Sequence, residues 1–267
     1  MDRRAIVKNL VATGCLFLLI SACAATNSPA QTYSNGPQTA LRIGNDLYQT
    51  LDGRYRENVN PQWVQIETSD SPVITPIESS DDNRAPHSVL VSMGYIDLIN
   101  HIAHAKAIDH IQHGFFQQYV RNLACQTGGG APPNMSDPRY WKEDVMNEQM
   151  GLFNQMMGMT LAISLSHHYL GHYNKYANQM LDGKRTPINC LIDPAEWEAS
   201  IRAATVNSLD CAYGTEGAIA LFDAINMMGA RPAWTAFILP AAANVKKLDK
   251  TLARYEADYF HGGITAR

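Results

Sequence analysis

The chain predicts an α+β domain that is predominantly helical and carries a small β-sheet. Three observations lead there. Stretches starting at Gly94, at residue 143 and at Glu196 read as long helices, and they dominate the chain. Trp63-Val-Gln-Ile-Glu-Thr alternates apolar and polar residues, and Pro72-Val-Ile-Thr-Pro-Ile and Ser88–Ser92 are short runs of strand character. No segment after the N-terminus is apolar and long enough to span a bilayer, and no internal repeat is present.

The N-terminus reads as a processing signal. Arg3, Arg4 and Lys8 form a charged region, and the apolar stretch Leu10–Ile20 that follows is too short for a comfortable membrane span. Ile20-Ser21-Ala22-Cys23 then has the form of a lipobox, in which cleavage exposes Cys23 for acylation. The alternative is an ordinary secretory signal with a chance cysteine. In bacterial lipoproteins Ala rather than Asp after the cysteine favours the outer membrane, so Ala24 implies a lipid-anchored envelope protein facing the periplasm. The expected organisation is a signal peptide over 1–22, a flexible Ala/Thr/Asn/Ser/Pro-rich tether over 23–37 and one domain over 38–267. The whole chain carries a net charge of −4. Loss of the signal makes it more acidic, which argues against nucleic acid as a partner.

Within the domain, Leu41, Ile43, Leu47 and Leu51 predict a helix over 38–54. Three strands follow. One helix is expected from Gly94 to about Leu123, then a Gly- and Pro-rich loop from Thr127 to Trp141. A second helix is expected over 143–178 and a third from Glu196 to Ala230, with the loop Pro187–Pro194 between them. Ala233–Ala243 is apolar with a break at Pro240, and Val245–Tyr259 closes the chain as an amphipathic helix.

The chemistry-bearing stretch is His168-Tyr-Leu-Gly-His172. Two histidines four apart on a helix stack on one face, a spacing that lets both bind one zinc ion. The same spacing also arises on ordinary helices. Asp210 is the best candidate third ligand, because it lies in a largely apolar stretch where an unpaired carboxylate is costly. Its other reading is a cap or ion pair. Glu216 and Asp223 are runners-up. His167 faces about 100° away from His168 and is not expected to be a ligand. His101, His104, His110 and His113 are read as a solvated polar face. Met150, Met156, Met157 and Met159 are read as core. Of Cys125, Cys190 and Cys211, a Cys125–Cys190 disulfide is the preferred pairing, with Cys211 a buried thiol. The chain has neither a Gly-rich phosphate loop nor a G-x-S-x-G elbow.

The order of these features resembles the gluzincin zinc metallopeptidases of the CAAX prenyl protease type. Leu41–Leu51, Trp63–Ile77, Asn83–Ala85, Val91-Ser-Met-Gly-Tyr-Ile-Asp-Leu-Ile99, Ser166–Tyr173, Leu209–Gly214 and Gly229–Pro232 recur in the family's order, over about residues 38–232. An insertion, roughly Gln126–Asn147, departs from the pattern. The resemblance implies a zincin-like scaffold with zinc as cofactor and His168 and His172 as ligands. The family's ligand glutamate would fall at Val206. Ser208-Leu-Asp-Cys-Ala-Tyr-Gly214 is similar instead to the aspzincin motif, which makes Asp210 the third ligand. Tyr169 stands where the catalytic glutamate is expected. In such enzymes zinc activates a water and a carboxylate takes its proton. A phenol with an ordinary pKa of about 10 is a poor substitute, and no spacing argues that Glu148 or Glu216 takes over.

The resulting expectation is an envelope lipoprotein with a metallopeptidase-like domain whose proteolytic activity is weak or lost. Its groove would hold a peptide or envelope protein by strand addition. The alternatives are a non-catalytic binding or assembly lipoprotein without a functional metal site, and a helical lipoprotein whose histidines are incidental.

Overall fold

The computed structural model describes residues 35–57, 59–77, 88–123, 130–180 and 186–263. The signal segment, Cys23, the tether up to residue 34, Asn83–Ala85 and Cys125 lie outside them.

Helix α1, Gly36–Thr50, begins two residues before the expected domain start at 38. Pro37 in its first turn has its φ already set for a helix and no N–H to leave unsatisfied. Ala40, Ile43, Gly44 and Leu47 form its buried stripe, at the i, i+3, i+4, i+7 spacing of a helix lying on a core. A single turn, α2, Gly53–Arg56, follows.

The three expected strands are present as β1 Val64–Glu67, β2 Ile74–Ile77 and β3 Ser88–Ser92. Strand β3 is central, parallel to β1 and antiparallel to β2, with Val64 opposite Val89 and Ile74 opposite Val91. The indole N–H of Trp63 donates to the Gly44 carbonyl at 3.0 Å, tying the sheet to α1.

Ser92 ends β3 and caps α3, Met93–Asp109, its hydroxyl accepting from the Tyr95 amide. The single helix expected over 94–123 is in fact two. Helix α4, Phe115–Leu123, starts after Gly114, whose φ is +87°. The Asp109 carboxylate accepts from the Phe116 amide at 3.0 Å, so the residue that closes α3 also satisfies the start of α4.

A 3₁₀ turn, Pro138–Trp141, leads into the central helix α5, Glu143–Tyr169. Every residue from Met156 to His168 is buried, as expected of a helix enclosed on all sides. It packs against α3, α1, α7 (Pro194–Asp210) and α8 (Glu216–Met227). At the α8 crossing the approach is so close that a Cβ on Gly217 would lie 2.7 Å from the Leu152 carbonyl oxygen.

Two more expected continuous helices are broken. The 143–178 stretch ends as α5 at Tyr169 and resumes as α6, His172–Met180. Gly171 lies between them with φ +78°, and its amide closes the helix end by donating to the His168 carbonyl at 3.1 Å. The 196–230 stretch is divided into α7 and α8 by a turn in which Ala212 adopts φ +60°. There the Tyr213 amide bonds the Ser208 carbonyl and the Ala212 amide bonds that of Leu209, both at 2.9 Å, which is a Schellman closure made without glycine. A 3₁₀ turn, Ala233–Phe237, and helix α9, Val245–Phe260, complete the described chain. No helix among the described residues is long and apolar enough to cross a membrane.

Candidate functional site: a buried histidine pair at a helix break

The break at Gly171 decides where the histidines go. His168 is in the last turn of α5, whereas His172 opens α6, so the two are not successive turns of one helix. The His168 ring packs edge-on against Tyr173 with centroids 4.6 Å apart, and near Trp63 at 6.3 Å. His172 points Nδ1 at Nδ1 of His167, 3.0 Å away. His167, which the helical-wheel argument set aside, is thus the partner of His172.

A third group completes this contact. Ser200 projects from α7, and its Oγ lies 3.2 Å from His167 Nδ1 and 3.3 Å from His172 Nδ1. Its hydroxyl proton is directed back along the helix to the Glu196 carbonyl at 2.9 Å. The position of Ser200 follows from the start of α7. Asp193 caps the helix, Pro194 opens it, and Glu196 closes a capping box on the Asp193 amide. Ser200 is one turn further on and fully buried. His167 is 1% exposed and His172 6%. Burial, then the neighbouring His172 and His168, push the His167 pKa down to about 3, so this imidazole is neutral at physiological pH. His172 is lowered too, again mainly by burial. Glu196 loses some solvation, but hydrogen bonds from Lys175 at 2.7 Å, the Asp193 amide and Tyr176 hold it ionised, with its pKa down at about 2.

Asp210 is elsewhere. It follows Ser200 by ten residues on α7, about 15 Å along the axis. Its carboxylate is exposed and accepts from the Tyr259 hydroxyl of α9 at 2.7 Å, so it carries no burial penalty that a metal would need to relieve. Among the described residues no three His, Cys, Asp or Glu side chains converge as a metal-binding group. As placed, His168, His172 and Asp210 do not make a zinc-ligand set.

Tyr169 turns its ring onto Tyr55, with centroids 4.6 Å apart and planes 31° from parallel. Its hydroxyl is buried without a hydrogen-bond partner among the described residues. Burial, then Tyr55 and Asp210, raise the pKa above the usual phenol value. The phenol is therefore protonated at neutral pH and cannot receive a proton from water.

The remaining sequence candidates separate by burial. His104 is not on a solvated face. It is fully buried and its Nε2 meets the Tyr140 carbonyl at 2.8 Å. His110 lies beyond the end of α3, exposed and 3.9 Å from Glu148. Met156, Met157 and Met159 are core, while Met150 is exposed. Glu216 is the exposed first residue of α8. Asp223 on α8 pairs with Asp249 on α9, and burial, then the charge of Asp223 and a hydrogen bond with it, lift Asp249 to about 6. Cys190 is an exposed free thiol, and its expected partner Cys125 lies outside the described residues. Cys211 is a half-buried free thiol 3.3 Å from the Thr50 hydroxyl.

A cavity of about 270 Å³ lies between α7 and α9. Trp197, Ile201 and Leu248 supply apolar lining, and Glu198, Asn244 and Lys247 supply polar lining. Comparison of the chain with family models, with curated proteins and with solved structures gives no match.

Proposed function

We propose that this chain is a lipid-anchored envelope protein whose peptidase-like domain binds polypeptide without cleaving it. The supporting observation is Tyr169. A buried, protonated phenol occupies the place where the family resemblance expects a proton acceptor. Loss of a general base removes about 10²–10⁴ in rate. With Asp210 held by Tyr259, no catalytic step through zinc follows from these residues. The cavity between α7 and α9 has the size of one large side chain and mixed lining, which suits an anchor residue of a bound segment. Cys23 supplies the lipid and residues 24–37 the reach from membrane to domain.

The test uses the mature, lipid-free domain with unfolded casein and a library of fluorescent peptides. Saturable binding without cleavage, lost on Leu248→Lys in a protein that keeps its circular dichroism, is the expected result. Cleavage that Tyr169→Phe abolishes would show an active peptidase instead. Radiolabelled palmitate incorporated by the full chain and lost on Cys23→Ser checks the anchor.

A further inference from the structure

Helices α7 and α9 run side by side in the same direction. Their first turns share the cavity lined by Trp197, Ile201 and Leu248, and at their far ends Tyr259 bonds Asp210. The two starts are charged oppositely. Helix α7 opens on Asp193 and Glu196, acids where the helix dipole favours them. Helix α9 opens on the neutral cap Asn244 and has no acid in its first turn, where Lys246 and Lys247 stand instead. Cations at that end oppose the dipole, so local helix energetics do not account for them.

The two lysines belong to a face. Lys246, Lys247, Lys250 and Arg254 are all exposed and fall within an arc of about 100° around α9. Two acids of the helix point to the α8 side instead: Asp249 meets Asp223, and Glu256 accepts from the Thr215 hydroxyl at 2.5 Å. Asp258, exposed one turn beyond Arg254, is the exception. No carboxylate among the described residues forms an ion pair with any of the four cations. A chain of net charge −4 thus keeps an unneutralised basic strip on one helix. The strip borders the cavity, because Lys247 and Leu248 both line it, and Glu198 on α7 is the single acid in that lining. The wall carrying Ala242 and Ala243 is held by Arg231, whose guanidinium donates to the carbonyls of Pro240, Ala241 and Ala243, each at 3.0 Å. The cavity is therefore pre-formed, which spares a bound segment the cost of ordering it.

We propose that the ligand of this domain is an acidic polypeptide segment. One bulky apolar residue enters the cavity between Trp197 and Leu248, and flanking Asp or Glu side chains lie along Lys246, Lys247, Lys250 and Arg254. This assignment rests on the domain being a polypeptide binder. The apolar lining supplies the anchor contact. The exposed cations supply encounter rate and selection against basic sequences, and their attraction is screened by salt.

The experiment measures fluorescence anisotropy of rhodamine-labelled peptides with the full chain in neutral-detergent micelles. One peptide carries a single phenylalanine flanked by glutamates. Its counterparts replace the glutamates by glutamine or by lysine, or the phenylalanine by alanine. The glutamate peptide should bind roughly tenfold tighter than the glutamine peptide, weaken as salt rises, and lose its binding when phenylalanine becomes alanine. The double variant Lys246→Glu/Lys247→Glu should shift the preference toward the lysine peptide. It should also hold or raise Tm, because it places acids at the start of α9, so a loss of binding would not come from unfolding. Equal binding of the glutamate, glutamine and lysine peptides, or binding unchanged in the double variant, would overturn the acidic class and leave polypeptide binding standing. No binding of any peptide would overturn both. Displacement of the glutamate peptide by phosphatidylglycerol but not phosphatidylcholine in mixed micelles would assign the strip to lipid headgroups and overturn the proposal.

Discussion

His167 and Tyr169 are two residues apart and illustrate opposite uses of burial. His167 is a base kept neutral, so folding discriminates against its charged form. Its folded pKa of about 3 is below the unfolded value near 6.5. Between those values the unfolded chain binds the extra proton, so stability is intact above about pH 6.5 and falls as the pH drops toward 3. The loss approaches about 1.4 kcal/mol per pH unit across that window. Urea melts from pH 7 to pH 4.5 should show it, and His167→Asn should flatten the slope. Tyr169 is an acid kept neutral, and its hydroxyl has no partner among the described residues. Removing a buried donor that bonds nothing is close to neutral or stabilising. Tyr169→Phe should therefore hold or raise Tm and leave peptide binding intact, whereas a catalytic or ligand role for the phenol would show as lost function. The identities of these residues were visible in the chain. Their partners were not, because the side-chain direction of His172 depends on a helix end that a four-residue spacing assumes away.

At the scale of elements, the strands and the start of α7 were legible because their signals are local. Alternation gives a strand, and Asp193-Pro-Ala-Glu196 writes a cap, a first-turn proline and a capping box in four residues. Helix ends inside apolar runs were not legible. Gly114, Gly171 and Ala212 each interrupt what reads as one helix, and each adopts a left-handed conformation there. The closures at Gly171 and Ala212 differ in chemistry and should respond oppositely. Gly171→Ala adds a Cβ that meets no atom within 4 Å, so its cost is conformational, about 1 kcal/mol. Ala212→Gly relieves the same strain at the end of α7 and should stabilise by up to about 1 kcal/mol. Chemical denaturation of the two variants tests both signs.

Across the whole molecule, α5 organises the fold; the helices meet through one apolar core, joined in places by polar pairs that no local pattern reveals. Asp223 and Asp249 join α8 to α9 as a carboxyl pair. Asp249 titrates at about 6 when folded, above its ordinary value, so the folded state takes up the proton first and gains stability as pH falls from about 6 toward 4. This is the opposite sign to His167. Asp249→Asn removes the repulsion and should raise Tm most at pH 7, with the gain shrinking as the pH falls from about 6 toward 4. The measured pH profile of the protein is then the sum of the two, and the variants separate them.

The helical class, the three strands, the buried methionines of α5 and the opening of α7 could be read from the chain alone, because each rests on interactions between residues a few positions apart. Which histidine meets which, the neutrality of Tyr169, the bond from Tyr259 to Asp210 and the approach of Ser200 to two imidazoles required the packed structure. Ser200 is 28 residues from His172 and 33 from His167, and Tyr259 is 49 from Asp210. Contacts at that separation are set by how α5, α7 and α9 cross, and burial then decides the charge of whatever they enclose.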